Sequence, residues 1–117
     1  MNKAEFYREA RTDLPAPLAG VRVLEATTTW GGPMCAVVLA DLGARVIKVE
    51  VPLGEVTRRL TPPLRGTSVS FNYATVNRSK RSLTLDMRRP EGRDIFLKLA
   101  AQSDIVVENI KAGTMDN

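Results

Sequence analysis

The sequence predicts an α/β fold: a Rossmann-like parallel sheet of about four strands with flanking helices, forming an incomplete fragment of a larger domain. Three observations carry this expectation. Runs rich in β-branched residues recur at 21–26, 45–51, 82–87 and 105–109. Stretches with apolar residues at helical spacing separate the first run from the second and the third from the fourth. Gly and Pro punctuate the junctions between them.

Residues 1–16 read as a polar N-terminal extension, with a short helix over 4–11 that has little apolar face. The run 21–26 (VRVLEA) is a strand bounded by Gly20 and by Thr27-Thr28-Thr29. Gly31-Gly32-Pro33 then turns the chain into a helix, and Pro33 suits its first turn, where a missing N–H costs nothing. Met34, Val37, Val38, Leu39 and Leu42 share the expected inner face of that helix, and Gly43 ends it as the C′ residue. The run 45–51 (RVIKVEV) completes a strand–helix–strand unit of the size expected for a parallel βαβ element.

Residues 52–70 are loop-like, with a short helix expected over 68–76. The run 82–87 (SLTLDM) alternates polar and apolar residues, as a half-covered strand does. Pro90-Glu91-Gly92 opens a helix whose Ile95, Phe96, Leu99 and Ala100 share a face, and Asp104 precedes the last strand, 105–109. Parallel sheets normally carry helices on both faces. Two well-marked helices and one short one leave this sheet under-covered, so residues 17–117 read as the front part of a larger domain.

Composition narrows the chemistry. The 117 residues include no histidine, which removes Ser-His-Asp and Cys-His catalysis, imidazole proton shuttling and His-ligated zinc from these residues. The one cysteine, Cys35, has no disulfide partner within the sequence and no CxxC motif, and it reads as a buried packing residue. No apolar run long enough for a transmembrane helix is present, nor the apolar core of a secretory signal. The expectation is a reducing, cytoplasmic setting with no membrane partner and no metal.

Two features point toward a ligand. The Trp30-Gly31-Gly32-Pro33 turn leads into a helix N-terminus, a place where backbone N–H groups hold phosphate. Glu50, at the tip of the second strand, sits where dinucleotide-binding folds place a ribose-binding acid. The full GxGxxG is absent, however, and the turn also reads as a plain connection. The second feature is a charge asymmetry. No acidic residue lies between Glu55 and Asp86, while Arg58, Arg59, Arg65, Arg78, Lys80 and Arg81 all do. Such a stretch suits a phosphorylated ligand or a solvated basic surface. Nucleic acid is a poor fit, because only Phe71 and Tyr73 offer stacking nearby and aromatics make up 5% of the chain. No Asp or Glu pair stands out as acid and base.

The residues resemble the N-terminal portion of the family III CoA-transferases, the CaiB/BaiF group that includes formyl-CoA transferase. The resemblance rests on PLAGVRVLE at 17–25, Gly32-Pro33, LADLGARVIKVE at 39–50, NRSKRSLTLD at 77–86, Pro90-Glu91-Gly92 and DIVVEN at 104–109. It implies a Rossmann-like large domain, acyl-CoA and a carboxylic acid as substrates, no tightly bound cofactor, and an interlocked homodimer in the full-length form. In such enzymes CoA passes between acids through an enzyme aspartyl-CoA thioester, a covalent route that splits one hard exchange into easier steps.

Carried over by position, the CoA site takes Trp30 and Gly31 from the first turn and Lys80 and Arg81 from the basic stretch. It takes Leu85, Asp86, Met87 and Arg88 from the third strand and Asn109, Ile110 and Lys111 from the end of the fourth. Val51 stands where some relatives place an Arg near the adenine, and Trp30 where relatives often carry a smaller or amide-bearing side chain. The nucleophilic aspartate belongs to a later segment, so no catalytic residue is expected among these residues. An acyl-CoA racemase of the same superfamily and a non-catalytic CoA- or nucleotide-binding remnant are the alternatives.

Overall fold

A computed structural model describes residues 2, 5 and 13–115. The helix expected over 4–11 falls almost wholly outside them. Four parallel strands form one sheet in the order β3-β2-β1-β4. They are β1 (Arg22–Ala26), β2 (Arg45–Glu50), β3 (Arg81–Thr84) and β4 (Ile105–Glu108). Helix α1 (Gly31–Asp41) joins β1 to β2, α2 (Phe71–Asn77) precedes β3, and α3 (Pro90–Ala101) joins β3 to β4. The expected fold class is the observed one.

Register follows from β1, which pairs on both sides: Val23 lies opposite Val46 of β2 and Ile105 of β4. Because strand residues alternate between faces, β1 feeds two separate apolar layers. Val23 and Val46 pack with Ala36, Ala40 and Ala44 on the α1 side. Leu24, Ala26 and Val49 pack with Phe96 of α3 on the other.

Helix α1 departs from the expected face. Pro33, Ala36, Val37 and Ala40 are its buried residues, whereas Met34, Val38 and Leu42 are exposed, as is Cys35. Val37 and Leu39 keep their expected inward positions, but small alanine side chains bring the helix down onto β1 and β2, and Met34 and Val38 are left on the outer side. Cys35 is therefore a surface thiol and not a packing residue. The C-terminal end matches expectation, with Gly43 at φ +100° after Leu42. That conformation is natural to glycine and lets the chain reverse into β2.

Two other boundaries shift for identifiable reasons. Ser70 caps α2, its hydroxyl accepting the Tyr73 N–H at 3.2 Å, so the helix starts at Phe71 and not at Ser68. Strand β3 ends at Thr84 because the chain turns at Asp86, whose carboxylate accepts the Arg88 N–H at 3.2 Å. At the other edge β4 exposes Ile105 and Val106. Among the described residues no helix is long and apolar enough to cross a membrane.

Candidate functional site

In open parallel sheets, ligands collect at the carboxyl ends of the strands, where neighbouring connections leave in opposite directions. Here that point lies between β1 and β4. The chain leaving β1 runs through Thr27, Thr28, Thr29 and Trp30 into α1, and the chain leaving β4 runs through Asn109 and Ile110. The two exits are tied together: Asn109 Oδ1 accepts the Thr28 N–H at 2.8 Å, and Asn109 Nδ2 donates to the Thr28 carbonyl at 2.9 Å.

A buried carboxylate braces the same turn from the 52–70 loop. Glu55 accepts the Thr29 N–H at 2.8 Å and the Thr28 hydroxyl at 3.2 Å, and it also accepts from Thr57. Thr29 sits at φ +70°. That value is unusual for a β-branched residue and persists only where surroundings impose it.

Beneath the turn lies a cluster of buried charges. Glu25 on β1 and Lys48 on β2 both face α1 and are fully buried. Lys48 Nζ donates to Glu25 Oε1 and to the Thr27 carbonyl, each at 3.0 Å. Lys80 Nζ lies 2.7 Å from Glu25 Oε2 and donates to the Pro33 carbonyl at 2.8 Å and to Asn77 Oδ1 at 3.2 Å. Burial pulls the Lys80 pKa down, and the Glu25 carboxylate opposes that pull.

Glu50, the acid at the tip of β2, is already occupied. Arg58 donates to both of its oxygens at 2.7 Å, Tyr73 and Ser82 hydroxyls each donate at 2.7 Å, and the Glu55 N–H donates at 3.1 Å. Burial pushes its pKa up, but the bonds from Arg58, Tyr73, Ser82 and Glu55 outweigh that and hold it at about 2. Burial and the neighbouring Glu50 carboxylate raise the Tyr73 phenol in turn. Arg58 also lies over the Tyr73 ring, 3.8 Å from its centre. A carboxylate with this many donors has no free lone pair for a ribose, which removes the observation behind a dinucleotide reading.

Two adjoining cavities open beside these groups. The larger, about 820 Å³, is lined by Val51, Asp86, Met87, Arg88 and Ile110, and its wall also includes Arg89, Arg93, Asp94, Phe96 and Met115. The smaller, about 340 Å³, lies over the ends of β1 and β2. It shares Val51, Met87 and Ile110 with the first and adds Thr27, Thr28 and Glu55. Its polar wall is therefore the braced turn itself. Asp86 holds Arg88 through two bonds of 2.9 and 3.1 Å, and the Arg88 side chain projects into solvent at the rim. Among the described residues no group of His, Cys, Asp or Glu is placed to hold a metal ion.

The structure thus gathers Asp86, Met87, Arg88 and Ile110 around one crevice, with Asn109 beside it and Trp30 and Gly31 exposed at the neighbouring turn. It separates the others. Leu85 packs in the core under α3, and Lys111 is exposed just beyond the crevice. Arg81 lies at the amino end of β3, opposite Ile47, and lines a different cavity of about 320 Å³. Lys80 is directed inward, onto Glu25. Sequence reasoning missed Thr28 and Glu55, whose contribution depends on two loops meeting. It also missed Arg89 and Arg93, which follow Arg88 on the first turn of α3 and were visible as a cationic helix start.

The sequence model of CoA-transferase family III matches residues 18–117. The chain belongs to this family. It is 42% identical over 107 residues to the succinyl-CoA–L-malate CoA-transferase beta subunit of Chloroflexus aurantiacus, covering 90% of this chain and 26% of the relative. It is 43% identical over 100 residues to the human succinyl-CoA:glutarate CoA-transferase, covering 85% of this chain and 23% of that protein. Among solved structures, a CaiB/BaiF family protein from Brucella suis superimposes with a TM-score of 0.82 at 40% identity, over 88% of this chain and 28% of that one. The chain spans about a quarter of the length of these relatives. The curated relatives are transferases by name, which does not favour the racemase alternative.

Proposed function

We propose that this chain contributes part of the CoA site of an enzyme that moves CoA between carboxylic acids. The observation that supports this most is the crevice at the carboxyl edge of the sheet, with an apolar floor of Val51, Met87, Phe96 and Ile110 and a rim on which Arg88, Arg89 and Arg93 outnumber the carboxylates Asp86 and Asp94. CoA is itself divided this way, into an adenine and pantetheine that favour apolar contact and phosphates that favour guanidinium groups. Asp86, Met87, Arg88, Asn109, Ile110 and Lys111 serve on the strand ends, and Trp30 and Gly31 serve where the thioester end approaches the turn.

The chemistry follows family III logic. An aspartate supplied from outside these 117 residues attacks the acyl-CoA carbonyl and displaces CoA thiolate, leaving a mixed anhydride. The thiolate then attacks the aspartyl carbonyl of that anhydride and releases the donor acid. The acceptor carboxylate attacks the aspartyl-CoA thioester and expels CoA thiolate, leaving a second mixed anhydride. The thiolate then attacks the acceptor's acyl carbonyl, forming the new acyl-CoA and freeing the aspartate carboxylate. On this reading residues 17–117 are the first part of the large domain, 1–16 an extension, and the complete enzyme a cytoplasmic homodimer. These residues bind and orient CoA but carry no nucleophile, so alone they bind without turnover.

Thermal melting with and without CoA tests the site. Saturating CoA at about ten times its Kd raises stability by about 1.4 kcal/mol, a shift of several degrees for a domain of this size. An unchanged melt at millimolar CoA contradicts the reading.

A further inference from the structure

We infer that Lys80 and Lys48 are positioning residues that fix the turn between β1 and α1 from its two ends. The two ammonium groups share one buried carboxylate, Glu25, at 2.7 and 3.0 Å. Each then spends a proton on a backbone carbonyl of the turn. Lys48 takes that of Thr27, where the chain leaves β1, and Lys80 takes that of Pro33, inside the first turn of α1. The exposed residues Trp30 and Gly31 lie between those two anchors.

Lys80 has three N–H groups, and Glu25, Pro33 and Asn77 are three acceptors within reach. Two of those protons are bonded to Pro33 and Asn77, the ammonium is ion-paired with Glu25, and the side chain is 2% exposed, so a phosphate has no access to it. Lys80 therefore acts through the turn and not on the ligand. Packing alone is a poor reason for the cluster, because apolar side chains of the same volume fill such a space at lower cost than three buried charges. What apolar side chains cannot do is grip two carbonyls separated by a tight turn. Trp30 gives α1 no side-chain cap, so the turn has no local device of its own at this point.

The consequence for CoA rests on the proposed function above; the consequence for the turn does not. Trp30 is the one tryptophan of the chain, so its fluorescence reports the turn directly. Lys80→Met leaves the Glu25–Lys48 pair intact and Lys48→Met leaves Glu25–Lys80, so each variant keeps one buried ion pair. Both are expected to melt cooperatively with unchanged far-ultraviolet dichroism, while acrylamide quenching of Trp30 rises about twofold through local loosening. CoA affinity is expected to fall about tenfold, the loss of one charge-assisted hydrogen bond. Quenching that stays at the wild-type value in a folded variant overturns the inference. Collapse of both variants overturns it too, by giving the cluster a global structural role. Raised quenching in variants of a chain that binds no CoA supports the inference and contradicts the proposed function.

Discussion

Asn109 holds Thr28 with both ends of its amide, accepting from the backbone N–H at 2.8 Å and donating to the carbonyl at 2.9 Å. A side chain here takes over the pairing that the β1–β4 ladder gives up after Ala26 and Glu108. The two strand exits are thereby locked at a fixed separation, and the crevice beside them inherits that width.

Replacing Asn109 with Ala removes both bonds at an exposed site. Loss of about 1 kcal/mol is expected, with CoA affinity falling further than stability because the turn moves. Asn109→Asp keeps the acceptor for the Thr28 N–H but loses the donor, so its effect should fall between Ala and wild type. Denaturant melts and CoA titrations of the two variants check the order.

Glu50 predicts the acid limb of stability. Its folded pKa of about 2 lies below the ordinary 4.5, so the folded carboxylate holds its charge where the unfolded one takes up a proton. The contribution is complete above pH 4.5 and is lost as pH falls from there toward 2. It amounts to about 3 kcal/mol at most. Urea midpoints at pH 7 and 3 should therefore diverge strongly for the wild type and much less for Glu50→Gln. Parallel losses in the two proteins would assign the acid limb elsewhere.

Gly92 permits α3 to seat against the end of β3. A Cβ at this position falls 2.1 Å from the Asp86 carbonyl oxygen, a backbone atom that cannot swing aside. Gly92→Ala should cost more than about 2 kcal/mol, despite alanine's better helix propensity. Melting the variant checks this, and a gain in stability would show that the Asp86 turn is more yielding than its geometry indicates.

The edge strand predicts association. Ile105 and Val106 of β4 are exposed, and among the described residues no strand pairs with the outer edge of β4; such edges recruit further strands. Static light scattering at rising concentration should show oligomers, and Val106→Lys should reduce them. A wild-type chain that stays monomeric at high concentration contradicts the expectation.

The fold was legible because β-branched runs, Pro33, Gly43 and Pro90 are local signals that the packing obeys. The inner face of α1 was legible only in Val37 and Leu39, since the choice of Ala36 and Ala40 over Met34 and Val38 depends on how closely a helix approaches the sheet. For the site, Asp86, Met87, Arg88 and Ile110 were carried over from the family resemblance and not read from spacing, and they came together at one crevice. Lys80 and Arg81 did not: they are adjacent in sequence, yet one turns under α1 and the other opens the amino end of β3. A cationic run carries no information about which of its members is consumed by a buried acid such as Glu25. Resemblance to a family supplied both the ligand class and the candidate residues, and geometry then sorted those residues.

The proposed CoA site is the crevice at the carboxyl edge of the sheet. Titrating CoA into the isotope-labelled chain and following its backbone amide signals tests it most directly. Saturable shifts are expected at Val51, Met87, Arg88 and Ile110, with smaller ones at Thr28 and Gly31. An absence of shifts at millimolar CoA, or shifts confined to the cavity around Arg81 at the opposite edge, would contradict it.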